Sequence, residues 1–317
     1  MSDDHTASRR PLVHIGYPKA GSTWLQRHVW NNESFGFCAP ISGLKLRELL
    51  VRPSALGFQS HAAKSVIRAA LDNSPSALVP VLSEERLVGA AESGGFDTTE
   101  LARRIKKVLP DPRVLIVVRR QTDVIASAWG QYVKFGGTEP LGLWLEGDID
   151  SFALVPRFNP LFYEFDRLYE FYARLFGHGS VLVVAQEQLR TSPQEVVRAV
   201  QTFSGATPKG QLPPIRSENA GLDATVLTLI RRGNQFGRRP YGRQRTSLNP
   251  CPVNLAPMRL ALRGTASLTR VHPGLARRAK RRLYDEITEY SSGRFEASNR
   301  RLELATGLPL GQLGYPL

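Results

Sequence analysis

The chain is poor in sulfur. Two cysteines, Cys38 and Cys251, and two methionines stand among 317 residues. So few cysteines build neither a disulfide framework nor a metal cluster, and the pair reads as two reduced thiols in a reducing compartment. Long apolar runs are also missing: no segment reaches the roughly 18 apolar residues that a membrane span requires. The N-terminal MSDDHTASRRP is polar and lacks the apolar stretch of a signal peptide. Residues 1–11 read as a disordered leader, and a cytoplasmic protein is expected. With 42% apolar and 22% charged residues, the composition is that of an ordinary soluble globular protein.

Acidic residues are absent from one long stretch. Between Arg231 and Tyr284 there are fourteen Lys or Arg and no Asp or Glu, an excess equal to the whole chain's formal net charge of +14. So lopsided a field attracts an anionic partner, whereas an arginine-rich surface alone would not remove every acid over such a length. Aromatics are sparse there, only Phe236, Tyr241 and Tyr284, so stacking on bases is poorly supported and no nucleic acid partner is expected. Arg231 to Asn254, rich in Arg, Gly, Asn and Pro, reads as a long loop or lid. Leu255 to Val271 mixes Leu, Met, Ala and Val with Arg and reads as an amphipathic helix able to lie on a lipid surface.

What is present is an alternation. Leu12–Gly16, Ala77–Leu82, Arg113–Val118 and Ser180–Ala185 are short apolar runs that read as buried strands. Between and after them, Ser22–Trp30, Thr98–Leu109, Thr122–Phe135, Phe162–Phe176 and Pro193–Phe203 read as helices, with Thr98 and Ser192 as caps. The expectation is an α/β fold around a mostly parallel sheet. Beyond Arg216 the pattern is helical and irregular. One domain over residues 12–317 is expected, with a basic helical C-terminal elaboration and 231–284 as a lid or acceptor-facing insertion.

Such sheets bind ligands at the C-terminal ends of their strands. The loop Gly16-Tyr17-Pro18-Lys19-Ala20-Gly21-Ser22-Thr23 falls there, between a strand and a helix. Its amides and the helix N-terminus form an anion site. In a Walker A loop, GxxxxGK[ST], the lysine stands directly before Ser/Thr and reaches the β- and γ-phosphates. Here the lysine is mid-loop, at position 19, which disfavours ATP chemistry.

Tyr17-Pro18-Lys19-Ala20-Gly21-Ser22-Thr23-Trp24 resembles the 5'-phosphosulfate loop, YPKSGTTW, of sulfotransferases that use 3'-phosphoadenosine-5'-phosphosulfate (PAPS). A second element of that family, RxxxDxxxS, is matched by Arg119, Asp123 and Ser127. The resemblance covers roughly residues 12–205 and implies a P-loop-like three-layer fold with helices on both faces of the sheet. It implies that Lys19 contacts the 5'-phosphosulfate, that Ala20, Gly21, Ser22 and Thr23 belong to the loop holding the 5'-phosphate, and that Trp24 stacks on adenine. Arg119 and Ser127 would grip the 3'-phosphate, a role that suits the planar fork of an arginine. Trp24 as a core residue is the alternative. Asp123 reads equally as a helix N-terminal residue and is left out of the site.

Sulfuryl transfer requires a proton to leave the acceptor as it attacks, and no metal is implied. Family members acting on phenols and steroids use a histidine after the second apolar strand. Here Ser83-Glu84-Glu85-Arg86-Leu87 carries two acids instead. The resemblance to glutamate-base carbohydrate sulfotransferases, and to bacterial relatives reading Ser-x-Glu-x-Leu, implies Glu85 as the base with Glu84 as the other candidate. His14 lies inside a predicted buried strand and reads as core. Three departures stand out: Arg120 and Gln121 replace the usual Asn and Pro, Ala185-Gln186-Glu187 lacks the usual tyrosine, and the C-terminal Arg-Lys-Gly loop is missing, with Arg294 as a substitute candidate. The expected activity is sulfuryl transfer from PAPS to a glycan, glycolipid or other natural-product hydroxyl, with an anionic or membrane-borne acceptor favoured by the basic stretch. The competing expectation is a non-catalytic module on a degenerate nucleotide fold that binds anions or membranes.

Overall fold

The computed structural model of the chain describes residues 10–17, 19–147, 158–207, 224–235 and 273–317. Five strands form its centre: β1 (Leu12–Gly16), β2 (Phe37–Cys38), β3 (Val79–Ser83), β4 (Arg113–Val118) and β5 (Val181–Ala185). They lie in the order β2-β3-β1-β4-β5, and every neighbouring pair is parallel. The inner strands β1 and β4 are apolar without alternation because both their faces are covered.

The helices are α1 (Ser22–Leu25), α2 (Gly43–Leu46), α3 (Ser60–Asp72), α4 (Thr98–Val108), α5 (Gln121–Lys134), α6 (Leu141–Leu145), α7 (Phe165–Phe176), α8 (Gln186–Thr191), α9 (Pro193–Ser204), α10 (Ala224–Asn234), α11 (Pro273–Ser291) and α12 (Glu296–Thr306). A π-helical turn, Gln26–Trp30, extends α1. The step from β1 to β2 runs opposite to the steps β2→β3→β4→β5, so right-handed crossovers place α1 on one face of the sheet and the later connections on the other. Helix α9 lies on the α1 side, where Gln201 donates to the Phe35 carbonyl at 3.1 Å. Helices α4 and α7 pack together, with Arg103 over the Phe171 ring at 5.9 Å. This is the α/β, mostly parallel, P-loop-like fold expected from the sequence, with a helical C-terminal region.

Local departures have local causes. The second predicted strand starts at Val79 rather than Ala77, because the Leu78 amide bonds back to Pro75 in a turn. Strand β2 has two residues, and α3 buries only Ala63 and Ile67, so neither has a pattern strong enough to read. Thr98 does not cap α4: its hydroxyl donates to the Val88 carbonyl, and Asp97 occupies the cap position. Ser192 sits at the start of α9 but makes no side-chain cap bond. The stretch Phe162–Phe176 is broken at Glu164, whose φ of −82° and ψ of 86° separate a 3₁₀ turn from α7. Arg231 to Asn234 belong to α10 rather than to a loop, because Val226, Leu227 and Ile230 bury one helical face and Asn234 bonds to the Val133 and Gly137 carbonyls. The predicted amphipathic helix Leu255–Val271, residues 236–254 of that loop and the leader up to residue 9 lie outside the described residues.

The far end of the basic stretch is helical. α11 packs against α5, α6 and α10 and turns Arg277, Arg278, Lys280, Arg281 and Arg282 to the surface. α12 then docks on the sheet region through Asn299, which is fully buried and takes a 2.8 Å bond from Gln121. Among the described residues, no helix is long and apolar enough to cross a membrane.

Candidate active site

The strand order sets out the candidate residues along one edge. The register pairs His14 with Ser83, Gly16 with Val117 and Val118 with Ala185, so the C-terminal ends of β3, β1, β4 and β5 are level. Glu84 and Glu85 leave β3, the lysine loop leaves β1, Arg119 leaves β4 and Gln186 follows β5.

The loop is fixed at its root. Tyr17 is fully buried among Phe162, Tyr163 and Phe165, and its hydroxyl donates to the Phe162 carbonyl at 2.7 Å. Lys19 then takes a φ of 62° and Gly21 one of 94°. Left-handed backbone is uncommon outside glycine, and alternation of hand turns successive amides inward to form an anion-binding concavity. The Trp24 amide is bonded back to Gly21, which leaves the preceding amides of the first turn outside the helical ladder. Lys19 is exposed and Ala20 buried. A Cβ on Gly21 would stand 3.3 Å from Leu189 Cδ1, a tight contact with the end of a flexible side chain. Trp24 is 7% exposed and lies 5.8 Å, centroid to centroid, from the ring of His28, one turn further on. His28 sits beside the site and carries no sequence signal of its own.

Arg119 joins the two motifs. Its Nη1 donates to the Lys19 carbonyl at 3.0 Å and to Ser127 Oγ at 3.1 Å. Ser127 Oγ in turn donates to the Asp123 carbonyl at 2.9 Å, so two helical turns bring it under the guanidinium. Among the described residues, Ser22 Oγ, Trp24 Nε1 and Arg119 Nε in this region are buried without a partner. Each such atom costs about 1–3 kcal/mol when left unpaired. All three can donate to anion oxygens, so the residues present fit a ligand carrying phosphate groups.

The two glutamates differ sharply. Glu84 is 5% exposed. Its Oε1 accepts from Arg47 Nε and Nη2 at 3.1 and 2.6 Å and from the Arg86 amide at 3.0 Å, capping the 3₁₀ turn that follows. Oε2 presses on Gly43, where a Cβ would stand 2.9 Å away. Glu85 opens that turn and is half-buried. Burial pushes its carboxyl above the usual range, the nearby Lys19 pulls it back down, and Glu84 raises it further. His14 is core: burial lowers its imidazole to about 3, and Nδ1 lies 2.7 Å from Ser83 Oγ and 3.2 Å from Trp30 Nε1.

The structure adds residues that the sequence leaves aside. Asp123 binds Arg120 through Oδ2, at 3.0 Å from Nε, and accepts the Tyr284 hydroxyl on Oδ1 at 2.9 Å. Glu187 accepts the Arg120 amide and, through Oε2, the Tyr315 hydroxyl at 2.8 Å. The replaced Gln121 is likewise occupied, bonded to Asn299 and to the Tyr163 carbonyl. No local signal marks these contacts with Glu187 and Asn299, because the partners lie 67 and 178 residues away. Arg294 lines a separate cavity of about 480 Å³ with Glu146, Asn159 and Tyr290, and its guanidinium stacks 4.3 Å from the Tyr290 centroid.

Residues 9–219 match the Sulfotransferase domain family, so the chain belongs to that family. The family's chemistry is sulfuryl transfer. Similar solved structures include a sulfotransferase from Alicyclobacillus acidocaldarius, at 17% identity and a TM-score of 0.48, covering 71% of this chain and 92% of that one. A mouse sulfotransferase complexed with PAP, the 3',5'-bisphosphate that remains after transfer, is 14% identical with a TM-score of 0.37, covering 94% of this chain and 89% of that one. No curated protein matches the chain.

Proposed function

We propose that this chain moves a sulfuryl group from PAPS to an acceptor hydroxyl with Glu85 as general base. The observation that carries the reading is the row of groups along the level strand ends: a carboxylate with a raised pKa, a lysine in an anion-binding loop, then an arginine–serine pair. In this reading Lys19, Ala20, Gly21, Ser22 and Thr23 hold the 5' end of the donor. Trp24 flanks the adenine, and Arg119 and Ser127 hold the 3'-phosphate. The donor supplies an electrophilic sulfur and a phosphate leaving group.

Glu85 accepts the proton of the attacking hydroxyl, and Lys19 places positive charge where the leaving oxygen becomes negative. Glu84 is occupied by Arg47 and the Arg86 amide, so we assign it to holding that turn rather than to proton transfer. The occupied Glu84 and the glutamate, not histidine, at the end of β3 favour an aliphatic hydroxyl on a glycan, glycolipid or natural product. The basic stretch 231–284 favours an acceptor that is anionic or carried on a membrane, met by a cytoplasmic protein. We read residues 12–317 as one catalytic unit, supported by the buried bond between Gln121 and Asn299.

Calorimetric titration with PAP in buffer lacking divalent metal tests the donor site. Saturable one-to-one binding is expected. Absence of PAP binding, together with salt-sensitive binding to anionic vesicles, would replace this reading with that of a non-catalytic anion-binding module. A mass-spectrometric screen of hydroxyl acceptors with PAPS then identifies the acceptor class.

A further inference from the structure

Helix α11 reaches the arginine half of the site through the Tyr284 hydroxyl. Tyr284 is the last residue of the acid-free stretch and lies 161 residues from Asp123, yet its hydroxyl donates to Asp123 Oδ1 at 2.9 Å. The same oxygen forms a long ion pair with Arg119 Nη2 at 3.7 Å, beyond hydrogen-bond distance. The other carboxylate oxygen is taken by Arg120, at 3.0 Å from Nε and 2.9 Å from Nη2. Arg119 is held from the opposite side, with Nη1 on the Lys19 carbonyl and Ser127 Oγ, while its buried Nε has no partner among the described residues.

Asp123 and an incoming phosphate therefore compete for one edge of Arg119, the edge made of Nε and Nη2. A guanidinium offers that edge as a fork to either anion. Whichever group saturates Asp123 Oδ1 leaves the fork to the ligand. We infer that Tyr284 is a positioning residue: by occupying Asp123 Oδ1 it keeps the carboxylate from capturing Arg119, so that α11 sets the affinity for the donor's 3'-phosphate.

Two features support this. The tyrosine stays a hydrogen-bond donor at working pH, because burial and the adjacent carboxylate raise its hydroxyl to about 12. Lys280, four residues earlier and so on the same helical face, holds its ammonium 5.6 Å from the Tyr284 centroid. The contact thus brings the charge of the basic stretch up to the same site. The inference rests on the donor assignment above and extends it to a residue outside the matched region, which ends at 219.

The test compares PAP with adenosine 5'-phosphate, which lacks only the 3'-phosphate. Calorimetry on wild type, Tyr284→Phe and the double variant Tyr284→Phe/Asp123→Asn gives both affinities, with thermal melts to follow folding. Tyr284→Phe is expected to bind PAP about tenfold more weakly and adenosine 5'-phosphate unchanged, since a hydrogen bond to a charged group is lost only at the 3' end. The double variant, with the competing charge removed, should recover most of the lost PAP affinity. Equal weakening of both ligands, or no change in PAP binding by Tyr284→Phe, overturns the inference, as does a double variant that folds but stays as weak as the single one. Failure of wild type to prefer PAP over adenosine 5'-phosphate would instead remove the donor assignment on which it rests.

Discussion

The two halves of the proposed donor site are built in opposite ways. The lysine loop is one run of eight residues, Tyr17 to Trp24, with left-handed residues at 19 and 21 and a helix start at 22, anchored through the Tyr17 hydroxyl and the Lys19 carbonyl. The arginine half is assembled from four separate places, with Arg119 and Asp123 after β4, Glu187 after β5, Tyr284 on α11 and Tyr315 near the C-terminus. A contiguous loop carries its binding groups in one stretch of chain. An assembled one depends on distant docking and can be tuned from there.

The largest effect expected lies beside both halves. Glu85→Gln should lower turnover about 10²–10⁴-fold, the usual weight of a general base, with PAP binding unchanged. Because burial raises its carboxyl above the usual glutamate range, the base form is lost as pH falls through that raised value, and the acidic limb of kcat should stand above that of an ordinary glutamate. The same raised pKa makes the ionised form a burden on stability above it, so Glu85→Gln should keep or raise Tm at neutral pH. Glu84→Gln should do the reverse, losing about 1–3 kcal/mol of stability from bonds to a charged group while turnover of the folded fraction persists. Steady-state rates across pH and melting curves of both variants measure this. A Glu84→Gln protein that folds but does not turn over would exchange the two roles.

Next in size is a direct contrast of the halves. Arg119→Ala should weaken PAP about 10–100-fold and leave adenosine 5'-phosphate much less affected. Lys19→Ala should lower turnover about 10²–10³-fold, as loss of a group stabilising developing charge does, and should retain the preference for PAP over adenosine 5'-phosphate. Calorimetry and single-turnover rates separate the two, and a lost preference in Lys19→Ala would break the division between halves.

The smallest effect belongs to Gly21→Ala. At φ 94° a side chain is strained by about 1–2 kcal/mol, and Leu189 Cδ1 stands 3.3 Å from the new Cβ. A Tm lowered by a few degrees is expected, with PAP and adenosine 5'-phosphate weakened alike because both use the loop. A loss confined to PAP would show that the loop and the arginine half are not separate after all.

Much of this architecture is legible in the amino-acid sequence. The strands β1, β4 and β5 show as short β-branched runs because both faces are buried, and β3 begins two residues later than its apolar run only because a turn precedes it. The lysine loop, and Arg119 with Ser127, lie close in sequence and carry their own spacing. Asp123 is visible but ambiguous: a carboxylate at a helix start is common for dipole reasons alone, and nothing nearby indicates that Tyr284 binds it. The glutamate pair is also ambiguous. Adjacent residues of one type differ only in what surrounds them, and it is Arg47, 37 residues earlier, that occupies Glu84 and leaves Glu85 facing Lys19.

The sequence by itself determined the parallel α/β sheet, the anion loop and the residue types of the site, because strand periodicity, turn conformation and helix starts are decided within short stretches of chain. Tertiary structure alone decided which glutamate is buried in a cap and which is left with a raised pKa. It also decided that Asp123 and Glu187 in the arginine half are bonded by Tyr284 and Tyr315, both far from Arg119 in the chain. Hydrogen bonding and desolvation act through space between groups that the chain holds far apart, and local sequence carries no record of that proximity.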